Sequence, residues 1–158
     1  MSSIWSIVGI LVLLPMVAVL GVVVWRRMRT AKAEARMQAA RRLFRQQREY
    51  LEARFFTLAA ASGRPRGLSW VECEFADDVA FARDKQNGEL RALVAVNISF
   101  AAVEGGGMED NPNVGRLRAA TAVFLHRAGK WETDGRAIMN LDPRQAISHF
   151  QHELETVD

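Results

Sequence analysis

Leu90–Val103, LRALVAVNISFAAV, decides how the chain is built. Its side chains alternate: Leu93, Ala95, Asn97, Ser99 and Ala101 share one face, and Val94, Val96, Ile98 and Phe100 share the other. Period two with branched and aromatic residues on one side describes a strand with a buried face. Just upstream, Asn87-Gly88 supplies residues that accept the positive φ values of a tight type I′ hairpin turn. Before that turn, Leu68–Phe75 and Val79–Asp84 each read as a strand, with Trp70 opposite in face to Val71, Cys73 and Phe75. Downstream, Glu104–Gly115, EGGGMEDNPNVG, reads as a loop. Leu117–Arg127 and Lys130–Met139 then read as a second hairpin around Ala128-Gly129, carrying Val123, Leu125 and Trp131. Asp142 as N-cap, Pro143 at the first helical position and Gln145 at the third open a closing helix. That helix is expected to run through Leu154, with Ala146, Ile147, Phe150 and Leu154 inward.

Working back from the strands, residues 28–61 read as one helix rich in Ala, Arg, Gln and Glu, with no Gly or Pro before Gly63 and Pro65. In its first half Met28, Ala31, Ala35 and Ala39 form only a thin apolar stripe. In its second half Phe44, Leu51, Phe55, Leu58 and Ser62 recur at heptad-like spacing, flanked by Leu43 and Ala59. That half is expected to lie across the sheet.

At the N-terminus, Ile4–Trp25 runs 22 residues without a charge. At about 1.5 Å per helical residue it would reach ~33 Å, the thickness of bilayer hydrocarbon. Trp5 and Trp25 sit at its ends, and Arg26, Arg27 and Arg29 follow directly. A cleaved signal peptide would need a basic n-region and a small-residue site right after the apolar run, whereas Ala31-Lys32-Ala33 lies beyond the arginines. The sequence therefore predicts a retained single-pass membrane anchor with a cytoplasmic C-terminal domain. A single cysteine, Cys73, precludes an internal disulfide and suits a reducing compartment. Asn97-Ile98-Ser99, a glycosylation triplet, falls within a strand and reads as chance.

The expected organisation is thus α+β. A transmembrane anchor (1–27) precedes a basic helical stalk (28–43) and a domain (44–158). In that domain a curved antiparallel sheet of about five strands packs on a helix, and a short C-terminal helix follows. Phe55, Trp70 and Trp131 are the expected structural core. The net charge of +3 divides unevenly. Residues 26–54 hold ten Lys or Arg against three Glu, a balance of +7, and residues 55–158 hold eleven basic against fifteen acidic residues, a balance of −4.

The order of a helix, a strand and two hairpins, with the run Gly129-Lys130-Trp131-Glu132-Thr133-Asp134-Gly135, resembles the cystatin-like and NTF2-like α+β roll superfamily over residues 44–139. The chain also looks like a small single-span bacterial membrane protein carrying such a domain. The resemblance implies a cone between helix and sheet, which enzymes of that group equip with an Asp/His or Asp/Tyr pair. No such pair can be placed here, and the closing helix departs from the minimal pattern.

Several constellations bear on function. Arg26, Arg27, Arg29, Lys32, Arg36, Arg41, Arg42, Arg45 and Arg48 form the basic stalk. The first five would lie near an anionic lipid surface if the helix stood upright, and the last four would face solvent or a partner. Nucleic acid is disfavoured, because no aromatic interleaves the stripe before Phe44. Gly105, Gly106, Gly107, Met108, Glu109 and Asp110 make the most distinctive loop and the candidate interaction loop. No Gly-Lys-Ser/Thr completes a phosphate loop there. Glu72, Glu74, Asp77 and Asp78 read as the outward face of an edge strand and its turn. His149 and His152 could offer two imidazoles from one helix face, without an evident third metal ligand. Cys73 reads as a small core residue, His126 has no assignable role, and no nucleophile–base–orienter set assembles. The expectation is a non-enzymatic, membrane-anchored interaction or scaffold module with no cofactor. Its expected partners are the lipid bilayer and a protein, with a second copy of the chain also considered. Two alternatives are a small-ligand or enzymatic pocket in the cone, and anionic-lipid or nucleic-acid binding by the stalk.

Overall fold

The computed structural model describes residues 2–62 and 67–157, with side chains from residue 20 to 61 and from 67 onward. The long helix α1 (Ser2–Ser62) ends just before Gly63. The chain falls into two compact units, residues 1–42 and 43–158.

In the first unit the single-pass membrane localisation is corrected. Among the described residues no helix is long and apolar enough to cross a membrane. The described apolar run is Leu20–Trp25, about 9 Å of helix before Arg26 interrupts it. The rest of the expected span, residues 4–19, lies outside the residues whose side chains are described. Leu20, Val22, Val23, Val24, Trp25 and Met28 are exposed, and the Arg29 guanidinium stacks 3.8 Å from the Trp25 ring centre.

The second unit is α+β. Its sheet contains β1 (Leu68–Asp84), β2 (Leu90–Ala102), β3 (Arg118–Arg127), β4 (Lys130–Glu132), β5 (Ala137–Met139) and β6 (Leu154–Thr156), with α2 (Pro143–His149) between the last two. The order is β4-β3-β2-β1-β6, with β5 also on β3, and every pairing is antiparallel. Six strands replace the expected five, for three local reasons.

First, the two expected strands at residues 68–84 are one strand carrying bulges. Its register on β2 shifts between Trp70 and Glu72 and again between Phe75 and Val79. Bulges bend and twist a strand without ending it. Second, the expected strand Lys130–Met139 is two. At the break the Thr133 hydroxyl donates to Val123 O at 3.0 Å and accepts from Gly135 N–H, while Val123 N–H donates to Arg136 O. Third, the closing helix stops at His149 and not at Leu154. The Phe150 carbonyl accepts from Glu153 N–H and Leu154 N–H, turning the chain so that Leu154–Thr156 pairs with Ala82–Asp84.

The two hairpin turns trade the expected roles. Gly88 has φ +73 but Asn87 does not enter the left-handed region, so no type I′ turn forms there. The wider turn is tied by Asp84, whose buried carboxylate accepts from Gln86 N–H at 2.8 Å and Asn87 N–H at 3.3 Å and pairs with Arg91. At Ala128-Gly129 both residues have positive φ, 48° and 78°, between the paired residues Arg127 and Lys130. The twist of the flanking strands selects that geometry although alanine is a poor residue for it.

Two cores sandwich the sheet. On one face Phe44, Leu51 and Phe55 of α1 are fully buried. Phe44 packs edge-on against Phe124 at 5.3 Å, Trp131 at 5.0 Å and Phe81 at 6.0 Å, and Phe55 packs against Phe75, Phe124 and Trp70. Phe55 and Trp131 are buried, whereas Trp70 is half-buried. Gly135 sits where β3's edge meets α1: a Cβ there would lie 2.6 Å from Ala59 N. On the opposite face Ala146, Ile147 and Leu154 pack on Ala82 and Leu93, with Ala80, Ile138, Leu141 and Phe150 around them.

Candidate functional site

The α2 core covers only part of its face. Along β2 and β3 that face runs from Leu93 and Val123, under α2, to Ala95, Asn97 and Ala119 beyond its N-terminal end. Large residues give way to small ones, and no described element stands over them. The result is a groove of about 370 Å³. Ala95, Asn97 and Ala119 form its floor, Glu74 stands on one side, and Asn140, Leu141, Asp142 and Gln145 form the other wall.

That wall is rigidly built. Thr121, fully buried, donates its hydroxyl to Leu141 O at 2.7 Å, and Asn140 N–H donates to Ala119 O at 2.8 Å. Asn140 adopts φ +60, a conformation asparagine tolerates better than most residues. Asp142 accepts from Gln145 N–H at 2.8 Å while Gln145 Oε1 accepts from Asp142 N–H at 3.1 Å, the reciprocal capping box expected from the sequence. The lining therefore presents side-chain amides and the Glu74 carboxylate, whereas the Asp142 carboxylate is already engaged. Among the described residues no serine, cysteine, histidine, lysine or tyrosine lines it. Its chemistry is hydrogen bonding and attraction of cations at a shallow surface.

The candidate interaction loop lies elsewhere and is knitted to itself. Gly106 N–H donates to Val103 O at 2.9 Å, Val103 N–H donates to Gly67 O at 2.9 Å, and a Cβ on Gly106 would come within 2.5 Å of Gly67 Cα. Backbone N–H groups, first that of Glu109 itself and then those of Gly105, Met108 and Gly106, hold the Glu109 carboxyl below its ordinary range. Gly107 and Asp110 are exposed, and Met108 is half-buried.

In the first unit Arg26, Arg27, Arg29, Lys32, Arg36 and Arg42 are exposed, Arg41 is half-buried, and Arg42 Nε reaches Gln38 O at 3.5 Å. Arg45 in the second unit is exposed, but Arg48 departs from the expectation that it faces solvent or a partner. Its guanidinium pairs with Glu52 at 2.6 Å, donates to Asp77 O at 2.7 Å and also donates to Ala76 O. Those carbonyls belong to the second β1 bulge, where the ladder to β2 is interrupted and backbone acceptors need other donors. Arg48 is thus a fold residue. Spacing along the helix could not reveal this, because the bulge it serves lies 28 residues away.

His149 closes α2 and His152 lies past it in the turn, so they do not share a helix face. Among the described residues no group of three His, Cys, Asp or Glu side chains is placed to hold a metal ion. Burial, with a smaller contribution from Glu72, pushes the Cys73 thiol up to about 11. At neutral pH it is a thiol, not a nucleophilic thiolate. His126 stacks 4.9 Å from Trp131, and burial lowers its pKa, favouring the neutral ring. No protein-family model matches the chain, and no curated protein or solved structure matches it either.

Proposed function

We propose that this chain is a non-enzymatic interaction module whose α+β domain, a roll of the cystatin-like/NTF2-like kind, receives a partner polypeptide in the groove on the α2 side of its sheet. The observation that carries this reading is the groove itself: a preformed surface with a rigid wall, small floor residues and polar groups, and no nucleophile among the described residues that line it. The order of α1 followed by the β1–β2 and β3–β4 hairpins supports the roll. The opposite face supports a structural use of the cone, because the Phe44, Phe55, Phe124 and Trp131 rings occupy the space beneath α1 where an enzyme of that kind would hold its substrate. The self-bonded loop at 105–110 supports placing the contact in the groove.

A photoreactive amino acid at Ala119, on the groove floor, tests this in cells. It should give a discrete adduct with a partner polypeptide, whereas the same group at Lys130, exposed at the second hairpin turn, should not. No adduct at position 119, or equal adducts at both positions, would overturn the reading.

A further inference from the structure

Beside the groove, one long strand has little strand pairing on its outer side among the described residues. β6 covers only Ala82–Asp84 of β1, and Val157 N–H donates to Phe81 O. Among the described residues no strand pairs with the stretch Val71–Phe75 on that side, about 16 Å of edge. An unpaired strand edge is a template for another strand.

We propose that this edge of β1 accepts an extended peptide of alternating basic and apolar residues as an added strand; this rests on the interaction reading and specifies the partner's chemistry. Three features select that occupant. Glu72 and Glu74 are exposed and two residues apart, so both project on the groove side, opposite Ser99 and Asn97 of β2. No cation pairs with either among the described residues. Alternate side chains of an added strand would lie beside them, where opposite charge is favourable and like charge is not. The intervening side chains would fall on the other face, beside half-buried Trp70, Cys73 and Phe75 at the margin of the aromatic core, which suits apolar groups.

The same charges exclude the simplest competitor. A second copy pairing edge to edge would set Glu72 and Glu74 near their own counterparts, and the bulges around Val71 and at residues 76–78 would break a long homotypic ladder. The edge is guarded against itself and open to a basic strand.

The test uses the full chain and a short fluorescent peptide of alternating lysine and valine. It should bind about tenfold or more tighter than the alternating glutamate–valine peptide, a ratio within reach of interface charge pairs. Amide exchange in residues 71–75 should slow by about tenfold at saturation. Two analogues, N-methylated at odd or at even residues, read the backbone directly, and one of the two should lose binding. Glu72→Lys combined with Glu74→Lys, with an unchanged melting temperature, should reverse the charge preference. Equal binding of both N-methylated forms, protection only outside residues 71–75, or equal binding of a block-sequence peptide of the same composition would overturn strand addition. If the peptide fails in these ways while the position-119 adduct persists, strand addition falls and the groove reading stands. If both fail, the interaction reading falls with it.

Discussion

The two faces of this sheet are built from the same strands and solve opposite problems. Beneath α1, Phe44, Phe55, Phe124 and Trp131 interlock with ring centres 5.0 to 5.9 Å apart, and all four are buried. On the other side α2 is only seven residues long and covers the end of the sheet that carries Leu93, leaving Ala95 and Ala119 bare. Because side chains alternate along a strand, one residue's shift in sequence moves a position from one regime to the other. Val94 and Val96 are buried, while their neighbour Ala95 is half-buried on the groove floor. On the reading proposed above, stability is concentrated on one face and recognition on the other, without competing for the same residues.

That contrast can be broken most forcefully on the aromatic face. Phe55→Ala should cost about 3–5 kcal/mol, enough to unfold a marginal domain. Ala119→Ser on the groove floor should stay within about 0.5 kcal/mol, as exposed substitutions do. Chemical denaturation of the two variants checks both, and comparable losses would erase the distinction between the faces.

A smaller loss is expected at the tie between α1 and β1. Arg48→Gln keeps helix propensity but removes the charged donors to the Ala76 and Asp77 carbonyls and the pair with Glu52, and should cost about 1.5–3 kcal/mol. Arg45→Gln, at an exposed position nearby, should be close to neutral. Equal melting temperatures for both variants would return Arg48 to the solvated face expected from its place in the basic stripe.

At high pH the aromatic side should also weaken through Cys73. Its folded pKa is raised from 9.0 to about 11, so the unfolded chain loses the proton first. The contribution is fully present below pH 9 and is lost as pH rises from there toward 11. Cys73→Ala should flatten that part of the stability profile relative to the native chain. The smallest effect is a gain: Ala128→Asn relieves a left-handed alanine and should stabilise by about 0.5–1 kcal/mol in a thermal melt.

What could be read from residues alone follows the same division. The alternation in Leu90–Val103, the helix stop before Gly63 and the Asp142–Gln145 capping box are local signals, and each appears in the structure where the residues place it. Signals that depend on distant partners were not legible. Leu154 reads as a helical core residue by spacing, but it is buried because β1 offers Ala82–Asp84 as a pairing edge. The type I′ turn went to Ala128-Gly129 and not to Asn87-Gly88, because Asp84 side-chain bonds stabilise a wider turn at the first site. The groove escaped notice altogether. It arises from small residues on two strands together with the length at which α2 stops, and none of these is a motif.

The most direct measurement of the central claim is parallel capture of native partners by two full-length variants with unchanged melting temperatures. Ala119→Arg fills the groove floor, and Asp110→Ala alters the exposed end of the 105–110 loop without touching the Gly106–Gly67 contact. Recognition on the α2-side face predicts that Ala119→Arg loses the captured partner and Asp110→Ala retains it. Retention by Ala119→Arg with loss by Asp110→Ala would contradict that claim and return recognition to the loop.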